Sequence, residues 1–159
     1  MATTTPLTLR IKGAELEYSN AGAICWTLPI DSIVLIAEYT TNEGPHLDDY
    51  FLVFVTVEHC ALYFATCSFY AEGRDDVLST LREHLASPFQ LELTGSTDWE
   101  SRVVWPDKVA GKEYFSFRAL PPKTLTEKIK KKLLGESFEY SISHEIQECL
   151  KEQLRSRSV

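Results

Sequence analysis

Asp98, Glu100 and Arg102 stand two residues apart, with Trp99 among them and Trp105 just beyond. In an extended segment this spacing sets both carboxylates and the guanidinium on one face. Paired carboxylates beside a cation are the parts of an acid–base site, and tryptophans add broad contact area with one polar tip. Glycosidase-type carboxylate pairs, however, flank the scissile bond at a set distance. Neighbours on one strand form a surface charge ladder more simply. Asp98, Trp99, Glu100, Arg102 and Trp105 are therefore expected to bind a ligand, and no catalytic residue is assigned.

Other chemistry-bearing groups are scattered. Glu43, His46, Asp48 and Asp49 lie in the polar loop Thr40–Asp49, which also holds the turn signal Gly44-Pro45. His and Asp/Glu are ordinary metal ligands, but the spacing matches no calcium loop and a solvated turn explains the same residues; no metal or cofactor is assigned. His59 and Cys60 are adjacent, and neighbours on a strand project to opposite faces, so they form no dyad by themselves. Gly111-Lys112 lacks the upstream glycine and the Ser/Thr of a phosphate loop. Lys128, Lys130, Lys131 and Lys132 form the one basic cluster. On a helix with Ile129 and Leu133 turned inward they make a solvated face, with contact to an anionic surface as the alternative.

Composition narrows the class. The 159 residues are 44% hydrophobic and 25% charged, near globular averages, and long enough to bury a core without cross-links. No apolar stretch reaches the roughly 18–20 residues that span a bilayer, and the start MATTTPLTLR lacks a signal-peptide pattern. The reading is a cytoplasmic protein. Cys25, Cys60, Cys67 and Cys149 form no C-x-x-C pair and are expected to be reduced and buried as small hydrophobes. The net charge is −7, unevenly spread: residues 1–120 carry 8 Lys and Arg against 17 Asp and Glu, whereas residues 121–159 carry 8 against 6. An acidic body argues against broad nucleic-acid binding, which depends on neutralising phosphates.

The elements that must position these groups follow from periodicity. Leu7, Leu9 and Ile11 alternate with polar residues, and the phase slips at Gly13 before Leu16 and Tyr18, which reads as a bulge or bend that keeps one face inward. Strands are expected at 24–29 and 33–39. Tyr50–Val57 and Ala61–Phe69 are apolar at nearly every position, with Glu58, His59 and Cys60 between them; they read as a central hairpin buried on both faces. A helix starts near Asp75 or Asp76, buries Val77, Leu78, Leu81 and Leu85, and ends at Pro88. Alternation predicts strands at Phe89–Leu93 and Tyr114–Arg118, and the stretch Gly95–Gly111 between them reads as a loop over the sheet with a short strand at Ser101–Trp105. Beyond Pro121-Pro122, Leu125, Ile129 and Leu133 mark one helix capped by Thr124. After an ambiguous stretch 138–143, Ile146, Cys149, Leu150 and Leu154 mark a second, capped by Ser143.

The expected fold is α+β in one domain: an antiparallel curved sheet with an inserted helix over residues 1–120, and a helical segment 121–159 packed on it. Consecutive strands followed by a terminal helix resemble the element order of pleckstrin-homology-like barrels, from which the inserted helix departs. With no convergent catalytic set, the leading functional expectation is a non-catalytic binding or adaptor domain acting on proteins. The alternative is a small-ligand or hydrolase-like site near Asp98–Trp105.

Overall fold

In the computed structural model, which describes residues 6–119, 124–126, 128–129 and 138–157, the opening alternation becomes a three-stranded meander. Its strands are β1 (Leu7–Lys12), β2 (Glu15–Asn20) and β3 (Ala23–Pro29). Of the two readings at Gly13, the slip is a bend and not a bulge. Lys12 pairs with Glu15 across a two-residue turn, so the chain reverses and the apolar phase restarts with Leu16 opposite Ile11. The bulge lies one strand later, where Tyr18 pairs with Trp26 but Ser19 with Ile24, leaving Cys25 without a register partner.

A 3-10 turn at Ile30–Ser32 leads into β4 (Ile33–Thr40), followed by β5 (Tyr50–Glu58) and β6 (Ala61–Ser68). With β7 (Glu100–Trp105) they form a four-stranded sheet in the order β6-β5-β4-β7, antiparallel throughout. The expected single curved sheet is thus divided: β8 (Phe115–Ala119) and β9 (Phe138–Ile142) pair as a separate two-stranded ribbon. Among the described residues, nine strands in antiparallel sheets and two helices make an α+β protein.

The four-stranded sheet is covered on both faces, which explains why β4 and β5 are apolar at almost every position. One face carries Ile36, Leu52, Phe54 and Val104, packed against Leu9, Leu16 and Leu28 of the three-stranded sheet and Val77, Leu78 and Leu81 of α1 (Arg74–His84). The other carries Leu35, Val53, Val55 and Val103, packed against Tyr114 and against Ile146, Cys149 and Leu150 of α2 (His144–Ser156). β5 is interior; β6 is not. It ends the sheet, and Tyr63, Phe64 and Thr66 are exposed, so the central pair of the sheet is β4–β5 rather than the β5–β6 hairpin.

Three smaller expectations change. Phe89–Leu93 alternates in burial as predicted, but it joins no sheet among the described residues. α1 has Gly73 at its N-cap rather than an aspartate; Asp75 and Asp76 lie in its first turn, where negative charge suits the helix dipole. Ser143 occupies the N-cap of α2, yet its hydroxyl donates to the Glu113 carbonyl. Gly73 has φ +82°, and a Cβ there would come within 2.5 Å of the Leu9 carbonyl oxygen, because Glu72 runs beside β1 with Leu9 N–H bonded to Glu72 O. Gly73→Ala is expected to cost about 1–3 kcal/mol, read from a urea midpoint. The control is Gly95→Ala, which is equally left-handed (φ +88°) but has open space around it. An equal loss at the two sites would exclude the Leu9 contact as the cause.

Candidate binding edge

The residues of the Asp98–Trp105 segment have separate engagements. Asp98 and Trp99 precede β7. The Asp98 carbonyl accepts from Thr40 Oγ1 at 2.7 Å, and Trp99 Nε1 donates to Asn42 Oδ1 at 3.1 Å. The Glu100 carboxylate accepts from the Ser96 hydroxyl, and Arg102 pairs with Glu92. Trp105 packs on the core shared with the three-stranded sheet. The alternation breaks at a bulge: Ile36 pairs with Trp105 but Ala37 with Val103, so the neighbours Val104 and Trp105 meet the same core while Val103 enters the other. The charged groups at 100 and 102 therefore close local loops, and four concavities of the described surface are lined by other residues.

The loop cluster is likewise engaged in part. Asp49 Oδ1 accepts from Tyr70 Oη at 2.7 Å, while His46 and Asp48 face solvent; no group of metal-ligating residues is found among the described residues. His84 Nε2 lies 2.8 Å from Asp31 Oδ1. Lys128 is exposed, whereas Lys130, Lys131 and Lys132 lie outside the described residues. Leu125 and Ile129, expected to turn inward, are 75% and 52% exposed. The cysteines are all free, but only Cys67 and Cys149 are buried. Burial pushes the Cys67 thiol up to about 12, which keeps it inert. Cys25, at the β3 bulge, and Cys60, in a turn, are exposed because neither position faces a core.

A buried carboxylate organises the region beneath. Glu38, on β4, is fully buried. Its Oε1 accepts from the Glu92 N–H at 2.8 Å, and its Oε2 from the Leu93 N–H at 3.4 Å and from the Tyr50 hydroxyl. Glu38 thus supplies the bonds that a neighbouring strand would have given residues 92–93. Burial raises its pKa above the ordinary glutamate value; the Tyr50 and Leu93 donors and the Arg102 charge oppose the shift.

The surface least accounted for is β6. Its hairpin turn, His59-Cys60, has φ of 47° and 62°, the left-handed pair that a two-residue hairpin turn requires. Glu58 and Ala61 flank this turn as a hydrogen-bonded pair, and the register with β5 runs without a shift to Ser68. Residues 61, 63, 65 and 67 therefore bond to β5, and residues 62, 64, 66 and 68 point their N–H and C=O groups away from the sheet. Two of these outward groups are taken: Trp26 Nε1 donates to the Thr66 carbonyl at 2.9 Å, and the Ser68 N–H reaches Tyr18 Oη at 3.4 Å. Among the described residues, nothing bonds the outward groups of Leu62 and Phe64.

The edges formed by β7 and β1 differ. On β7, Val103 N–H donates to Lys112 O and Val103 O accepts from Gly111 N–H, while Ser101 Oγ exchanges bonds with the Phe115 backbone. On β1, Leu7 O and Leu9 N–H are taken by Glu72. β6 also lacks the charge, proline or bulge that native edges use against strand pairing. Tyr63 and Phe64 are 52% and 50% exposed on its two faces. Sequence reasoning missed this site by treating both apolar runs as interior; the signal available was that an uncharged strand closing a meander stands at its rim. In comparisons with known proteins, the chain matches no family model, no curated protein and no solved structure, so the edge is interpreted from its own geometry.

Proposed function

We propose that this protein is a non-catalytic interaction module that binds protein by accepting an extended strand along β6. The supporting observation is the open backbone of Leu62 and Phe64, flanked by half-exposed aromatic side chains. Main-chain hydrogen bonds give such a site affinity, and side-chain pockets on alternate positions give it selectivity. We further infer a cytoplasmic setting, supported by exposed free thiols at Cys25 and Cys60. No helix among the described residues is long and apolar enough to cross a membrane. The alternative, a ligand or hydrolase-like site at Asp98–Trp105, draws less support because Arg102 and Trp99 are held by Glu92 and Asn42. The pleckstrin-homology-like element order expected from the sequence is not confirmed, since the strands divide into three sheets and α1 lies between β6 and β7.

The test is affinity capture from the native source with the wild type and with Phe64→Lys, followed by hydrogen exchange on the purified complex. The expected result is a bound protein released by the variant, with the amides of 62 and 64 slowed by about tenfold or more in the complex, as pairing requires. Equal capture by both, or unchanged exchange at those amides, would overturn the reading.

A further inference from the structure

We infer that the strand accepted at β6 is the β6 of a second copy of this chain, paired antiparallel about a two-fold axis at Tyr63. The inference rests on the strand-accepting reading above. In an antiparallel pair, hydrogen-bonded positions face each other, so of the outward residues 62, 64, 66 and 68 only the first three can bond to a partner strand, since the Ser68 N–H reaches Tyr18 and its carbonyl accepts from Ala71. That leaves few registers. Pairing Phe64 with Phe64 would set Leu62 against Thr66, whose carbonyl Trp26 already holds. Pairing Leu62 with Leu62 would put Phe64 against Cys60, inside the turn. Pairing Leu62 with Phe64 of the other copy satisfies the N–H and C=O of both residues twice over and leaves the Trp26 bond intact.

The side chains agree with this register. Tyr63 would face its own counterpart at the non-hydrogen-bonded position, where side chains lie closest. On the opposite face Phe64 would cover the partner's Leu62, withdrawing half-exposed aromatic surface from water on each side. Charge selects the occupant. The chain carries −7 overall, yet Ala61–Ser68 holds no ionisable side chain other than Tyr63 and the buried Cys67. A basic partner would find no counter-charge along this seam, whereas a second uncharged β6 brings no repulsion into it. The isologous contact closes on itself, so it yields a dimer rather than a fibre.

Sedimentation equilibrium of the full chain over a wide concentration range is expected to show a monomer–dimer equilibrium. Phe64→Lys should weaken the dimer by about tenfold or more, since edge lysines oppose pairing. A thermal melt close to the wild type shows that the variant folds. The register is tested separately in a Cys25→Ser, Cys60→Ser background. Tyr63→Cys should cross-link under mild oxidation, because directly opposed non-hydrogen-bonded Cα atoms lie about 4.5 Å apart, within disulfide range. Leu62→Cys, offset from its own copy, should not. A wild type that stays monomeric, a dimer unaffected by Phe64→Lys, or cross-linking through Leu62→Cys but not Tyr63→Cys would each overturn the inference. A monomer that still captures a different protein through Phe64 would remove the second copy and leave the strand-accepting function standing.

Discussion

Glu38→Ala is expected to destabilise the protein by about 3–5 kcal/mol, the range for breaking a buried, hydrogen-bonded ionic group. The carboxylate has no exposure and serves the Tyr50 hydroxyl and the N–H groups of Glu92 and Leu93 together. Truncation leaves all these donors without an acceptor and opens a cavity between β4 and the segment they anchor. For a chain of this length the loss corresponds to a fall of about 10–15 °C in Tm. Glu38→Gln keeps an acceptor for the amides and is expected to lose much less. A thermal melt of the two variants separates lost acceptance from lost charge. Near-equal losses would mean that the hydrogen bonds to 92 and 93 contribute little.

The same group sets a sign for pH dependence. Burial raises the folded-state pKa of Glu38 above the ordinary value of 4.5, so the folded chain holds this proton more tightly than the unfolded chain. Its contribution to stability is therefore fully present below about pH 4.5 and is lost as pH rises through the folded pKa. The groups facing it are Tyr50, Arg102 and the 92–93 amides, with Glu92 paired to Arg102. In Glu38→Gln this falling component should vanish from the stability–pH curve. A curve unchanged by the substitution would show that Glu38 does not titrate differently in the two states.

Phe54→Ala is the second large effect, expected at about 3–5 kcal/mol, as for other fully buried aromatic residues. Phe54 lies at the middle of β5, fully buried, and its ring centroid is 6.1 Å from that of Trp26 on β3. Trp26 in turn donates across to Thr66 on β6. Removing the ring empties the contact between the four-stranded and three-stranded sheets while leaving the β4–β5 ladder intact. Chemical unfolding should show the loss, and added exchange at the Trp26 indole should place it between the sheets. A loss below about 1 kcal/mol would mean that the neighbouring core collapses into the space.

Much of the fold was legible because local rules and tertiary context agree. Pro29 and Asp31 break the chain between β3 and β4, where a 3-10 turn stands. Leu81 and Val77 share a helical face and reach the same core, and Ile146, Cys149 and Leu150 do so on the other side. The hairpin at 58–61 follows from a short polar break between apolar runs. Phe89–Leu93 shows where local rules stop. Its alternation reports burial correctly, but a ladder needs a neighbouring strand, and here a side chain, Glu38, bonds the backbone instead. Arg102 is similar: strand spacing places it near Glu100, but which acid it meets depends on a loop ten residues upstream.

The amino-acid order alone settled the kind of most elements, their order along the chain and the apolar side of those that reach a core, since these depend on neighbours within a few residues; Phe89–Leu93, Phe138–Ile142 and the exposed Leu125 and Ile129 are the exceptions. It could not settle which strand ends the sheet. Ala61–Ser68 and Tyr50–Glu58 are similarly apolar, yet one is a rim and the other an interior strand, because edge status depends on what pairs beside them and that is decided by chain segments far away. Tertiary structure also chose which backbone groups of β6 are taken, through Trp26 and Tyr18 from a different sheet. The open positions at Leu62 and Phe64 are what those long-range contacts leave over.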